Sequence, residues 1–256
     1  MLIIAILYLV FLFTPIALLL LGSFGETWSN TILPVGFTWQ WFEQVINDPS
    51  FRRAFWSSIQ VVIATCILNI LIGIPLAYAI YASARRGVQL AAKIMALLPI
   101  AVPDLVLGFG FILVFSSDTL PWLGSIWLLI AAHVILTIPY TVNTILADMQ
   151  QQRLHQYEQV AATLSASFWT RMKDIVLPLI GTSIFSSMLM VAALSIGEFQ
   201  ISNLIAGFLS RTYPVVLLQA FYGATGFACA ATVILLLLAI VASLGSTATS
   251  NLTKRG

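Results

Sequence analysis

Charge is what this sequence has least of: Asp, Glu, Lys and Arg make up 8% of its residues, against 60% that are hydrophobic. A soluble domain carries roughly 25% charged residues. A water-facing surface is therefore excluded for most of the chain, and bilayer is the solvent that fits a mean hydropathy of +1.02. Histidine is scarce too, with only His133 and His155. There is no Gly-x-Ser-x-Gly or His-x-x-x-His arrangement, so an intramembrane enzyme has no gathered nucleophile, base or metal-ligand set. The two cysteines, Cys66 and Cys229, sit inside apolar runs without metal-site or disulfide spacing, and read as small buried hydrophobes. None of the three lysines follows a glycine, which excludes a Walker A phosphate cradle. A net charge of +2 spread over dispersed basic residues excludes a nucleic-acid footprint. The chain is expected to hold no cofactor and no metal.

What is present is a series of long apolar runs. A helix needs about 20 residues to cross the hydrocarbon core. Charged or Gly/Pro-rich borders mark six such runs, at about 2–22, 57–82, 90–116, 122–146, 177–208 and 225–247, in a single transmembrane domain covering 1–256. The first run exceeds a signal-peptide core, has no basic residue before it and ends in Gly22-Ser23-Phe24, so it reads as an uncleaved span. Between the first two runs, Trp28, Trp39, Trp41 and Trp56 accompany charged residues. That mixture predicts a loop and short helix on the membrane surface. Ala220, Ala224 and Ala228 are spaced as a small-xxx-small helix face.

Orientation follows from the basic residues. With the N-terminus inside, eight of them (Arg85, Arg86, Lys93, Arg153, Arg171, Lys173, Lys254 and Arg255) are cytoplasmic, and Arg52, Arg53 and Arg211 are on the other side. The positive-inside rule then puts both ends in the cytoplasm.

The loop at 147–176 is the most informative stretch. From Tyr157, apolar residues recur at Val160, Ala161 and Leu164, a stripe of an amphipathic helix. Ser165 interrupts it, and Ser167 before Phe168-Trp169 can cap a second helix running to Pro178. Two short helices with an outward apolar ridge would make a docking knob.

This loop resembles the EAA loop of the membrane subunits of binding-protein-dependent ABC importers. Gln159-Val160-Ala161 stands for the Glu-Ala-Ala triplet, with Glu158 beside it. Ser165 stands for the glycine, and Ile175-Val176-Leu177-Pro178 matches the Ile-x-Leu-Pro ending. Thr163, Leu164 and Ala166 fit the usual surroundings. Gln159 has no charge to offer an arginine, and Ser165 enters a left-handed turn less cheaply than Gly. Gly73-Ile74-Pro75-Leu76-Ala77-Tyr78-Ala79 and Leu97-Leu98-Pro99-Ile100-Ala101-Val102-Pro103 resemble other parts of the family core. Ser195-Ile196-Gly197-Glu198-Phe199 followed by Thr212-Tyr213-Pro214 is similar to permeases for polyamines, aminophosphonates, ferric iron and thiamine.

The resemblance implies an all-α, polytopic, type I importer (MetI-like) permease in a bacterial inner membrane, surrounded by lipid. It also implies two ATP-binding subunits on the loops, a second permease subunit, identical or related, and a soluble solute-binding protein. Asp104, His133 and Glu198 are ionisable groups at membrane depth, where a charge costs about 2.5–3.5 kcal/mol to insert, so they are candidate pathway residues. Carboxylates there would suit a cationic solute. An ion-coupled secondary transporter is the alternative. It would use the same carboxylates but would not need the Ile-x-Leu-Pro loop or a partner ATPase.

Overall fold

The computed structural model describes residues 2–28, 31 and 33–253, with side chains among them from 4 to 240. Lys254 and Arg255, two of the basic residues behind the orientation argument, lie outside the described residues. Regular structure among the described residues is helical, joined only by the isolated bridges Thr27↔Val35 and Gly124↔Ala206. The helices are α1 (Leu2–Phe24), α2 (Gln40–Asn47), α3 (Pro49–Ala82), α4 (Arg86–Ala101), α5 (Asp104–Phe115), α6 (Ile126–Gln151) and α7 (Leu154–Thr163). They continue as α8 (Phe168–Arg171), a π-helical turn over Met172–Val176, α9 (Leu177–Leu179), α10 (Gly181–Gly197), α11 (Gln200–Ile205), α12 (Tyr213–Ala220) and α13 (Thr225–Thr253).

Among the described residues, three helices are long and apolar enough to cross a membrane: Ile4–Phe24, Pro49–Ala82 and Ile126–Gln151. Two bent pairs, Arg86–Ala101 with Asp104–Phe115 and Phe168–Leu179 with Gly181–Gly197, raise this to five, and Thr225–Ile240 is a shorter apolar helix where the sixth run begins. Two of the runs expected to be continuous are broken. The run 90–116 turns by 94° between α4 and α5. Pro103 has no N–H, and a residue before proline avoids the helical region, so Val102 is extended (φ −93°, ψ 127°) and ends α4. The run 177–208 bends by 63° at Ile180 and opens again at Glu198-Phe199, after Gly197. In lipid such breaks survive only where protein or a polar cavity satisfies the freed backbone.

The chain forms two compact units. The first comprises Met1–Ser58 and Arg211–Val241. Its core gathers Val45, Phe51, Ala54, Tyr213, Val216, Leu217, Ala230 and Ala231. Phe51 meets Tyr213 and Phe227 edge-on at 5.2 and 5.3 Å. Tyr213 is tied at both ends, its N–H donating to Ser58 Oγ (2.8 Å) and its hydroxyl to Ala231 O (2.9 Å). Trp41 Nε1 donates to Gly25 O (2.7 Å), so this indole holds the loop together, while Trp39 and Trp56 are exposed as interfacial residues would be. The small-residue face expected at Ala220, Ala224 and Ala228 does not form on one helix: α12 ends at Ala220 and Ala224 lies in the turn before α13. The turn's N–H groups at Tyr222 and Gly223 bond back to Gln219 and Ala220, closing α12 at a glycine.

The second unit comprises Ile59–Ser210 and Ala242–Gly256. One apolar cluster centres on Ala77, Ile80, Ile145, Met149, Leu154, Val176 and Ile180, and another on Val61, Leu128, Leu129, Ala132, Ile201 and Ile205. Between α3 and α6 runs a buried polar ladder. Asn69 Nδ2 donates to Thr137 Oγ1 (2.8 Å) and Thr141 Oγ1 donates to Asn69 Oδ1 (3.1 Å), so every member is satisfied away from water. At one end of this unit the Gly124 and Gly207 backbones pack together, with Ser210 Oγ donating to Gly124 O at 2.9 Å. A Cβ on Gly207 would sit 2.4 Å from Gly124 O. Gly207→Ala is expected to cost about 1–3 kcal/mol, as overpacking usually does, and to lower the unfolding midpoint in detergent.

Candidate functional site

The loop between α6 and α10 folds as a two-helix knob. Helix α7 ends at Thr163, and Ser165 takes the left-handed conformation at φ 61°. Ser165 N–H bonds to Ala162 O (3.0 Å) and Ala166 N–H to Ala161 O (3.0 Å), the paired closure of a Schellman motif. Ser165 thus takes a backbone conformation that glycine adopts most readily. A left-handed L-residue costs roughly 1–2 kcal/mol, partly offset by the extra freedom glycine loses on folding. Ser165→Gly is therefore expected to stabilise the protein by about 0.5 kcal/mol or more, seen as a higher unfolding midpoint in detergent. Ser167 Oγ accepts from Thr170 N (3.2 Å) and starts α8. Pro178 has no N–H to return to Asp174, and the preceding turn widens into the π-helical stretch Met172–Val176, which carries Ile175.

The outward stripe differs from the one expected. Ala161 is buried together with Leu154 and Glu158, whereas Tyr157, Val160 and Leu164 are exposed, Leu164 by 78%. Spacings of four and then three put 154, 158 and 161 on the inner face, and spacings of three and then four put 157, 160 and 164 on the outer one. Gln159 also faces out, its amide nitrogen 3.1 Å from His155 Nε2, and Thr163 Oγ1 donates to Val160 O at 2.7 Å. Glu158 faces in and accepts from the Tyr78 hydroxyl at 2.7 Å.

The three ionisable residues expected at membrane depth converge. Asp104, His133 and Glu198 line one cavity of about 380 Å³, with Thr137, Tyr140, Leu194, Ser195 and Gln200 around them. That volume lies in the usual range for small-molecule sites. The breaks between α4 and α5 and between α10 and α11 place Asp104 and Glu198 there. Glu198 is committed to its own chain: Oε1 accepts from Ile201 N (2.7 Å), and Oε2 accepts from Ser202 N (2.9 Å) and from the Ser202 hydroxyl. It caps α11. The Ser202 proton is spent on Glu198, so Ser202 Oγ accepts from His133 Nε2–H (3.0 Å), and His133 Nδ1 accepts from the Ser195 hydroxyl (2.7 Å). The imidazole lies 3.5 Å from Glu198 Oε2 and is fully buried. Asp104, in the first turn of α5, receives no hydrogen bond from the described residues and is the unpaired carboxylate of the cavity.

Sequence reading missed Ser195, Ser202, Thr137 and Asn69. Their signal is polar side chains at helical spacing inside apolar runs, such as His133, Thr137 and Thr141 at successive intervals of four.

Comparison with known proteins decides the family. The model of the binding-protein-dependent transport system inner membrane component family matches residues 69–250. The chain belongs to that family. It is a permease subunit of a binding-protein-dependent ABC importer. A protein named as a 2-aminoethylphosphonate transport system permease, PhnV of Salmonella typhimurium strain LT2, is 29% identical to this chain over 196 residues, 76% of this chain and 72% of the relative. The spermidine/putrescine permease protein PotC of Haemophilus influenzae is 27% identical over 210 residues, 80% of this chain and 78% of the relative. A chain in the crystal structure of a bacterial alginate ABC transporter superposes with a TM-score of 0.77 at 18% identity, covering 97% of this chain and 91% of that one. At that identity the match speaks to fold, and the MetI-like permease fold of an inner-membrane protein is the fold of this chain.

Proposed function

We propose that this permease moves a small solute bearing a protonated amine, and that Asp104 receives the amine. The observation that carries this reading is a carboxylate, Asp104, that receives no hydrogen bond from the described residues, in a cavity that the sequence places at membrane depth and whose other acid, Glu198, is already used as a helix cap. An unpaired charge there is costly, and a cationic group would offset the cost. Relatives named for 2-aminoethylphosphonate and for spermidine and putrescine handle solutes with a primary amine in common. Both chain ends and the knob lie on the cytoplasmic side, where the knob receives an ATPase subunit through Tyr157, Val160 and Leu164. Two such ATPases, a second permease and a soluble binding protein complete the importer.

The test is uptake by proteoliposomes containing the importer assembled with its co-purifying subunits, offered radiolabelled putrescine, 2-aminoethylphosphonate or molybdate. ATP-dependent uptake of an amine, with none of molybdate, is expected. Uptake of molybdate alone contradicts an amine-selective pathway.

A further inference from the structure

Glu158 stands out on the knob because it turns away from the docking face. It is 6% exposed, belongs to the inner stripe of α7 and is not needed to cap that helix. Burying a carboxylate is unfavourable unless a specific partner holds it. Here the partner is Tyr78 of α3, whose hydroxyl donates to Glu158 Oε1 at 2.7 Å. One helical turn further along α3, the Tyr81 hydroxyl accepts from His155 N at 2.8 Å. Helix α7 opens after Arg153 with no side-chain cap, so Tyr81 satisfies one of its free N–H groups. Two tyrosines on one face of α3 therefore hold α7 at its start and its middle.

The other direction along α3 leads to the cavity. Asn69 lies nine residues before Tyr78, about 14 Å along the helix, and is fully buried against Thr137 and Thr141 of α6. Thr137 lines the cavity and donates to His133 O at 2.6 Å. Between the two ends, Gly73 brings α3 against α6 so closely that a Cβ there would lie 2.7 Å from Thr141 Cγ2. A close-packed pair of this kind transmits displacement instead of absorbing it.

We propose that the Tyr78–Glu158 bond is the joint through which displacement of the knob enters α3, and that Asn69 passes it to α6 beside the cavity. This rests on the reading of the knob as the ATPase dock. Tyr78 and Glu158 act as positioning residues, since neither lies on the outer stripe. The apolar anchors receive the ATPase, and the inner stripe converts its movement into movement of the cavity wall.

The test uses the importer assembled with its co-purifying ATPase, with Cys66→Ala and Cys229→Ala removing the native thiols and Leu194→Cys placing one on the cavity wall. ATP with vanadate, which traps nucleotide-bound ATPases, is expected to change the maleimide labelling rate of that thiol by about 5-fold or more. Tyr78→Phe and Glu158→Ala keep ATPase co-purification and ATP hydrolysis but reduce the change to under about 2-fold. Glu158→Gln retains an oxygen acceptor for the tyrosine and restores most of it. If Tyr78→Phe does not accumulate as folded protein, the contrast between Glu158→Ala and Glu158→Gln decides. A full-sized labelling change in Glu158→Ala overturns the joint. A parent protein that binds no ATPase overturns the docking assignment instead.

Discussion

Leu164→Asp is expected to abolish co-purification of the ATPase subunit while leaving the permease inserted and folded. Leu164 is the most exposed member of the outer stripe, so nothing in the chain's own core depends on it. Surface replacements of that kind change stability by about 0.5 kcal/mol or less. At an interface the same change removes an apolar anchor and buries a charge against it, a combination in the hot-spot range of about 2 kcal/mol or more, at least 30-fold in affinity. Quantitative pull-down from detergent, normalised to permease recovered, measures it. Undiminished ATPase recovery would remove the knob from the coupling interface.

Asp104→Asn is expected to reduce ATP-dependent amine uptake by at least about 10-fold with ATPase recovery unchanged, because a charge-assisted contact contributes about 1.5–3 kcal/mol. The replacement is nearly isosteric. Its cost to the fold is limited to the carboxylate's interaction with the N-terminus of α5, about 0.3–1 kcal/mol. Initial uptake rates at sub-saturating putrescine measure the effect, and unchanged rates would take Asp104 out of the pathway. Glu198 is the instructive contrast. Its carboxylate holds two backbone N–H groups and a hydroxyl, so Glu198→Gln is expected to loosen the break before α11 as well as to alter uptake.

The separation of these two acids was not legible in the sequence. Asp104 and Glu198 look alike there, each an acid beside Pro or Gly in an apolar run. What distinguishes them is a capping geometry that exists only once α10 has stopped at Gly197 and α11 has begun at Gln200. The breaks themselves were half legible. Pro103 announces an interruption, but whether proline kinks a helix or ends it depends on tertiary partners for the freed groups. The knob was more transparent, because turn and cap chemistry is local: Ser165, Ser167 and Pro178 each act within a few residues of themselves. Its faces were not. Val160, Ala161 and Leu164 are equally apolar as letters, and the assignment of Ala161 to the inner face needed Tyr78 and the core around Leu154 to be in place.

Photocrosslinking from single positions on α7 is the most direct measurement of the central claim that this helix is where an ATPase grips the permease. With a photoreactive side chain at Val160 or Leu164, irradiation of membranes is predicted to yield an adduct with a nucleotide-hydrolysing subunit, and the same group at the inward-facing Ala161 is predicted to yield none. Adducts from 161 but not from 160 or 164, or labelling of 160 and 164 by a membrane-impermeant reagent from the extracytoplasmic side, would contradict it.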